Sequence, residues 1–193
     1  MDKVFITANE LLEDSFSLAV DILATGYKPS YIICVWRGGT PVGVAVQEVF
    51  EFFGVATNHF AIRTSSYGGG TTPNKNVKVM GLEYVVETVN AEDQLLIVDD
   101  VFDSGRSIDA IIKALHAKCR RNTPSDIRTA TVYYKPEKNT TDRVPDYYIH
   151  ETSAWLVFPH ELRGCDMDEL RAQKVLPDKA YRLWEELQKG PVS

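Results

Sequence analysis

The sequence predicts an α/β fold in which helices flank a central, twisted and mainly parallel sheet. Short β-prone apolar runs alternate with helical segments along most of the 193 residues, which is the pattern of a parallel sheet covered on both faces. Polar, glycine-containing loops follow three of the predicted strands. A composition of 44% hydrophobic and 25% charged residues suits one compact domain of this class with a substantial core.

The first half of the chain contains two helix-and-strand pairs. Thr7 and Glu10 form a capping box, and glycine is typical of helix ends. Leu12, Phe16, Ala19 and Leu23 recur at helical spacing and predict the buried face of the first helix. The predicted elements are a helix between Thr7 and Gly26, a buried strand at 31–36, a helix from Thr40 and Pro41 to Gly54, and a strand at 55–63.

The second half begins with a segment that contains few residues able to pack, "TSSYGGGTTPNKN" at 64–76. We expect this segment to form a mobile excursion. The elements predicted after it are a hairpin of "VKVM" and "EYVVETV", a strand at 95–98, a helix from about 107 to 120, strands at 127–134 and 146–151, and a polar tail of two helical pieces broken before Pro177.

Charge and cysteine content exclude several classes of function. The net charge of -6 argues against a broad nucleic-acid or anionic membrane surface. Cys34, Cys119 and Cys165 are odd in number and far apart, so neither a disulfide framework nor a Cys-x-x-Cys metal site is expected. No apolar run is long enough to span a bilayer, and the N-terminus lacks a signal-peptide pattern. We therefore expect a soluble, cytoplasmic protein.

Three polar loops are expected to meet at one edge of the sheet. They are "RGGT" after 31–36, "TSSYGGG" after 55–63 and "DDVFDSGRS" after 95–98. In an open parallel sheet, ligands bind outside the carboxyl ends of the strands, so neighbouring strands would bring these loops to one crevice. Taken alone, "RGGT" fits a tight turn almost as well as an anion site, and "SSYGGG" fits a flexible loop better than a site.

The loop "DSGRS" has the features of a phosphate site. Gly105 lets successive backbone N–H groups point inward, Ser104 and Ser107 add hydroxyl donors, and the following helix contributes the positive end of its dipole. Asp99 and Asp100 would repel phosphate, so they are expected to serve sugar hydroxyls or a hard divalent cation such as Mg²⁺. An ordinary strand-ending turn would explain the two aspartates alone, but it explains the whole run less well.

The run "LLIVDDVFDSGRSIDAI" closely resembles the phosphoribosyl pyrophosphate (PRPP) motif of type I phosphoribosyltransferases. "WRGG" resembles the pyrophosphate loop of that family, in which the peptide before the basic residue is often cis, and "SSYGGG" resembles its hood. The segments "YYKP", "VPDYYI" and "WLVFPHE" resemble the base-binding end of the 6-oxopurine branch, especially bacterial xanthine-guanine phosphoribosyltransferase. The similarity covers roughly residues 5 to 162.

This resemblance implies a role for each matching position on the PRPP side of the site. Asp99 and Asp100 would hold the ribose hydroxyls and help to place Mg²⁺, and Asp103 would accept the proton from N7 of the purine as N9 attacks. The 5′-phosphate would bind at Asp103, Ser104, Gly105, Arg106 and Ser107. Pyrophosphate would bind at Arg37, Gly38 and Gly39, under a hood that includes Ser65, Ser66 and Tyr67.

The same resemblance implies the residues that contact the base. Lys135 would donate to the 6-oxo group, Trp155 would stack on the purine, and the Leu156 backbone would contact its edge. Glu161 would provide a further metal ligand. The implied function is purine salvage: transfer of the phosphoribosyl group from PRPP to guanine, xanthine or hypoxanthine, in a homodimer or homotetramer. Singly, a lysine before proline, a Trp in an apolar segment and a surface Glu each have an ordinary structural explanation.

The resemblance also implies a division of the chain into two parts. Residues 1–165 would form the phosphoribosyltransferase domain, with a hood at about 64–80 and a base-binding segment at 135–161, and residues 166–193 would form a helical extension. Two departures from the family stand out: the hood is poor in charged residues, and Arg106 occupies a position that is frequently small. The alternatives are a PRPP-sensing regulator of the same fold, an orotate or uracil phosphoribosyltransferase, and a phospho-acceptor receiver domain, which the Ser-Gly-Arg-Ser loop disfavours.

Overall fold

The computed structural model describes residues 3–67, 76–173 and 175–188, and the side chains of residues 66, 67 and 76 lie outside the description. The strands of the described chain are β1 (Lys3–Phe5), β2 (Tyr31–Trp36), β3 (Asn58–Tyr67), β4 (Asn76–Met80), β5 (Gln94–Phe102), β6 (Asp126–Tyr134), β7 (Tyr147–Glu151) and β8 (Trp155–Val157). Its helices are α1 (Ala8–Ala24), α2 (Gly39–Phe52), α3 (Glu83–Thr88), α4 (Arg106–Cys119), α5 (Met167–Ala172) and α6 (Asp178–Gln188).

The main sheet has the strand order β4-β3-β2-β5-β6-β7. All neighbouring strands are parallel except β4, which pairs antiparallel with β3. The middle of the sheet is buried: Ile32 and Ile33 of β2 and Leu96 and Ile97 of β5 are fully inaccessible to solvent. The predicted α/β class, with a mainly parallel sheet flanked by helices, is confirmed.

The buried face of helix α1 coincides only in part with the one predicted, since Ala19 is buried and Leu23 partly buried. Leu11, Leu18, Ala19 and Ile22 are buried, whereas Leu12 and Phe16 are 46% and 39% exposed. Both sets recur at helical spacing on a helix that is apolar over much of its circumference, so periodicity did not decide which one faces the core. The predicted stop at Gly26 is confirmed, because the helix ends at Ala24 and Gly26, two residues later, has a left-handed φ of 82°.

The predicted hairpin after residue 76 is wrong in its second half. Residues 83–88 form α3 rather than a strand, and the buried Leu82, Val85 and Val89 recur at helical spacing. Strand β4 instead pairs with the end of β3, in the register Ser65↔Lys78. Strand β3 therefore continues to Tyr67, where the sequence predicts a loop, and residues 68–75 of that predicted loop lie outside the described residues.

Two compact units divide the chain. One comprises residues 9–153 and contains the main sheet, and the other comprises residues 1–8 and 154–193. In the second unit β1 pairs parallel with β8, and the Lys3 ammonium contacts the Gly164 carbonyl oxygen and the Glu169 carboxylate. The two helical pieces predicted around Pro177 are confirmed as α5 and α6, joined by a hydrogen bond from the Tyr181 hydroxyl to the Leu170 carbonyl oxygen. The boundary predicted at residue 165 stays a prediction.

Candidate functional site

Two of the three predicted loops follow adjacent strands, and the part of the third that is described, residues 64–67, is the end of β3. The order β3-β2-β5 puts the carboxyl ends of these parallel strands side by side at one edge of the main sheet. The loop at residues 37–39 follows β2, the loop at 103–107 follows β5, and the end of β3 lies beside them. This edge is where ligands bind in open α/β sheets, and the 37–39 and 103–107 loops lie together there as predicted.

The 103–107 loop closes tightly around Gly105. Gly105 has a left-handed φ of 74° and directly precedes α4, whose N-terminal amides are available to an anion. A side chain at this position would meet the Thr141 hydroxyl at 2.5 Å and the Phe102 ring at 2.8 Å. A cavity of about 70 Å³ opens on this loop and is lined by residues 99, 101–105, 107 and 108. The loop is thus a fixed, concave backbone surface of the kind that binds phosphate.

Gly38 and Gly39 bring the 37–39 loop against Asp99 and Asp100, which we call the acid pair. A Cβ at Gly38 would overlap the Asp100 carboxylate, and one at Gly39 would overlap the Val98 carbonyl oxygen. The Trp36–Arg37 peptide is cis, as the resemblance implied. The Thr40 backbone N–H donates to the Arg37 carbonyl oxygen at 3.1 Å, and the Thr40 hydroxyl donates to the same oxygen. Only glycine permits this approach of the 37–39 loop to the two aspartates.

The acid pair has unusual electrostatics. Burial, together with the neighbouring charge of Asp100, raises the pKa of Asp99 well above the ordinary range of a carboxyl group. The backbone N–H of Gly39 donates to Asp99 and opposes this rise. Burial, with the nearby charge of Asp99, also raises the pKa of the Cys34 thiol to about 12, so this thiol stays protonated at neutral pH. Two adjacent carboxyl groups with little solvent around them favour a cation or hydroxyl donors.

Lys135 is buried where β6 ends, next to the strand that carries the aspartates. Its side chain is 6% exposed, and its backbone N–H donates to the Phe102 carbonyl oxygen at 2.9 Å. Strands β5 and β6 are in register up to Phe102 and Tyr134. The residue predicted to recognise the base is therefore tied to the strand that leads into the 103–107 loop.

The end of β3 contacts the same loop. The Thr64 hydroxyl lies 3.5 Å from the Ser107 hydroxyl, at the long limit of a hydrogen bond. Ser65 is partly buried, and the backbones of Ser66 and Tyr67 pair with Val77 and Asn76. The predicted roles of the Ser66 and Tyr67 side chains fall outside the described residues.

Three predicted residues belong to the other compact unit. Trp155 begins β8 and is 48% exposed, and Leu156 is buried in the same strand. The Glu161 backbone N–H donates to the Phe158 carbonyl oxygen at 2.9 Å. The roles of these three residues at the base and the metal remain predictions.

The sequence predicted no role for three threonine side chains that lie against the 103–107 loop: Thr64, Thr140 and Thr141. Thr140 and Thr141 lie in "NTTDR", which is typical of an ordinary polar turn, so the sequence carried no signal for them. Thr64 begins the hood predicted at about 64–80, but no role was predicted for its side chain. Only their proximity in three dimensions identifies them.

Within residues 9–153, the fold and these loops define an α/β protein with a small cavity on a glycine-containing loop, next to Asp99 and Asp100. A match to the family model for the phosphoribosyl transferase domain extends over residues 7–164. The chain therefore belongs to the phosphoribosyl transferase domain family, as its motifs implied. A search of curated proteins found no match.

Solved structures of similar fold include a purine phosphoribosyltransferase from Pyrococcus horikoshii Ot3. It is 27% identical, with a TM-score of 0.67, over 86% of this chain and 99% of that one. A xanthine-guanine-hypoxanthine phosphoribosyltransferase from Helicobacter pylori is 19% identical, with a TM-score of 0.65, over 89% and 99% of the two chains. A hypothetical protein from Neisseria gonorrhoeae with bound ppGpp is 20% identical, with a TM-score of 0.69, over 89% and 94%. The resemblance to the 6-oxopurine branch agrees with these neighbours.

Among the described residues, no helix has the length and apolar content needed to cross a membrane. The same part of the chain contains no group of three or more His, Cys, Asp or Glu side chains arranged around a metal position.

Proposed function

We propose that the protein is a purine salvage phosphoribosyltransferase, which transfers the 5-phosphoribosyl group of PRPP to N9 of a 6-oxopurine. The products are the nucleoside 5′-monophosphate and pyrophosphate. The observation that carries the proposal is the close approach of Gly38 and Gly39 to the acid pair, beside a tight loop suited to phosphate. Such a crevice matches a substrate with a phosphate at one end, a diol in the middle and a pyrophosphate at the other.

The proposed PRPP contacts follow the chemistry of each loop. Backbone amides and hydroxyls at residues 103–107 bind the 5′-phosphate, with the N-terminus of α4 behind them. Asp99 and Asp100 accept hydrogen bonds from the ribose hydroxyls. Arg37, Gly38 and Gly39 bind the pyrophosphate group, and Ser65, Ser66 and Tyr67 close over it.

The donor set at the acid pair fits Mg²⁺. Mg²⁺ is usually held by one or two carboxylates together with waters and substrate phosphates, and not by a cage made only of protein. Asp99 and Asp100 supply the carboxylates, and the resemblance adds Glu161. When bound, Mg²⁺ stabilises negative charge on the pyrophosphate leaving group.

The proposed reaction breaks one bond and forms another at the anomeric carbon. The bond from that carbon to the pyrophosphate oxygen breaks, the bond to N9 forms, and the proton at N7 passes to the Asp103 carboxylate. Arg37 and the loop amides stabilise charge on the departing pyrophosphate. Closure by the hood protects the cationic sugar from water.

The proposed base specificity depends on Lys135. An ammonium group donates to the 6-oxo oxygen of guanine, xanthine or hypoxanthine, and it has no acceptor in the 6-amino group of adenine. Burial of Lys135 strengthens this discrimination, because a buried donor that meets no acceptor on the base has little water to replace it. Trp155 stacks on the purine, and the Leu156 backbone contacts its edge.

Three wider proposals accompany this activity. Residues 1–165 form the catalytic domain and residues 166–193 an extension, the protein is cytoplasmic, and it assembles as a homodimer or homotetramer. Light scattering of the purified protein measures the assembly directly.

The test is release of pyrophosphate from PRPP and Mg²⁺ with a panel of guanine, xanthine, hypoxanthine, adenine, orotate and uracil. The Asp103→Asn variant is expected to lower kcat by about 10²- to 10⁴-fold, the usual contribution of a general base. Asp21→Asn is the matched control, because Asp21 is an exposed aspartate on α1.

Each outcome of the panel has one interpretation. Turnover with 6-oxopurines alone supports the proposal, and turnover with orotate or uracil alone replaces it with a pyrimidine enzyme. PRPP binding without turnover on any base identifies a regulator. Wild-type kcat in Asp103→Asn removes Asp103 as the base.

A further inference from the structure

The segment at 139–143, which we call the supporting segment, runs beside the 103–107 loop. The Thr140 backbone N–H and the Thr140 hydroxyl both donate to the Ser104 carbonyl oxygen, each at 3.1 Å. A short 3₁₀ turn at Pro136–Lys138 connects Lys135 to this segment. The chain that follows Lys135 thus returns directly to the loop proposed to bind phosphate.

Thr140 also holds the side chain of Arg106. The Arg106 Nε–H donates to the Thr140 hydroxyl oxygen at 3.1 Å, and that hydroxyl donates onward to Ser104. One hydroxyl group therefore orients both a main-chain carbonyl and a cation of the 103–107 loop. This bond uses the Nε–H, and the two terminal amino groups of the guanidinium are further donors of the kind that bind anions.

The supporting segment is itself held in place by its own hydrogen bonds. The Asn139 side-chain oxygen accepts from the Thr141 backbone N–H and hydroxyl, both at 2.9 Å, and the Asn139 amide donates to the Arg143 carbonyl oxygen at 2.7 Å. Arg143 in turn contacts the Asp109 carboxylate of α4 at 3.1 Å. Thr140 therefore lies in a turn that hydrogen bonds and an ion pair hold in one conformation.

The orientation of one peptide group follows from these contacts. In a trans peptide the C=O and N–H groups point in opposite directions. Because Thr140 fixes the Ser104 carbonyl towards the supporting segment, the Gly105 N–H points away from that segment. Without the Thr140 hydroxyl, the Ser104 carbonyl oxygen would accept one hydrogen bond from Thr140 instead of two, and the Arg106 Nε–H would lose its acceptor.

We propose that Thr140 is a positioning residue for the 5′-phosphate of PRPP, acting through the Ser104–Gly105 peptide and the Arg106 guanidinium. This inference rests on the proposed function, because it deepens the account of the same site. Thr140 does not touch the reacting atoms. Its effect is expected on the binding of the phosphorylated sugar and not on the chemical step or on the purine.

The test compares Thr140→Val, which keeps the shape of the side chain but lacks the hydroxyl, with Thr140→Ser, which keeps the hydroxyl. Thr140→Val is expected to raise the KM for PRPP and the Kd for ribose 5-phosphate, measured by calorimetry, by about fivefold, the effect of one ordinary hydrogen bond. The KM for guanine and kcat should change by less than about twofold. Thr140→Ser should restore the wild-type values.

Thr123→Val is the matched control, because the Thr123 hydroxyl makes a comparable exposed bond to the Arg120 carbonyl oxygen at 2.7 Å outside the site. Equal unfolding midpoints for all variants show that a difference in binding is local. Unchanged ribose 5-phosphate binding in Thr140→Val, or equal losses in Thr140→Ser, would overturn the inference. Wild-type protein that binds ribose 5-phosphate but releases no pyrophosphate refutes the proposed function alone, and failure to bind ribose 5-phosphate refutes both.

Discussion

Replacement of Gly105 by alanine should destabilise the candidate phosphate loop in two ways, through backbone strain and through steric overlap. At φ 74° a non-glycine residue costs about 1–2 kcal/mol because of its backbone conformation. The new Cβ would also lie 2.8 Å from the Phe102 ring and 2.5 Å from the Thr141 hydroxyl. Overpacking of this kind costs about 1–3 kcal/mol. The two costs together predict a loss of about 2–5 kcal/mol in the free energy of unfolding.

Gly26→Ala provides the matched comparison. Gly26 has a φ of 82°, and a Cβ built there meets no atom within 4 Å, so this variant carries the backbone cost alone. Urea unfolding of both variants should give a loss for Gly105→Ala that exceeds that of Gly26→Ala by about 1–3 kcal/mol. Ribose 5-phosphate affinity should fall only in Gly105→Ala. Equal losses of stability in the two variants, with binding intact, would refute this explanation of the tight loop.

Two further substitutions probe buried polar groups. Asp99→Asn should stabilise the protein, because the pKa of Asp99 is raised in the folded state and its ionisation therefore opposes folding. The gain in the free energy of unfolding over wild type should vanish in acid and grow as pH rises above about 4. The same variant should lose PRPP affinity by about tenfold or more. If wild type were instead the more stable protein, by a margin that grew with pH, the raised pKa of Asp99 would be contradicted. Thr131→Val should raise the free energy of unfolding by about 1 kcal/mol, because the buried Thr131 hydroxyl has no hydrogen-bond partner among the described residues. Thr25→Val should lower the free energy of unfolding instead, since the Thr25 hydroxyl donates to the Ile22 carbonyl oxygen at 2.7 Å. If both variants changed the free energy of unfolding in the same direction, hydrogen bonding of the two hydroxyls would not explain their effects.

The central strands and the loops after them were predictable because their signals are local. An apolar β-prone run marks β2 and β5, and the residues that need special backbone geometry, such as Gly105, follow directly in the chain. Strand adjacency then follows from the rules for parallel sheets. This is why two glycines and an acid pair, about 60 residues apart in sequence, were expected together and lie together.

The remaining features depend on partners far along the chain. Helix α3 and a strand have the same short apolar composition, and only burial of Leu82, Val85 and Val89 distinguishes them. Strands β1 and β8 have three residues each, too few for a periodic pattern. Thr140 donates to a main-chain carbonyl, which any residue at position 104 would provide. The pattern of side chains in the sequence therefore does not predict this contact.

The pairing of β1 with β8 has a consequence for synthesis. Lys3 leaves the ribosome about 150 residues before its partner Trp155, so β1 has no partner strand until β8 has been made. The unit at 9–153 lies wholly between these two strands and is complete in the nascent chain first. Folding during translation therefore leaves the backbone amides of β1 unpaired until residues 155–157 emerge from the ribosome.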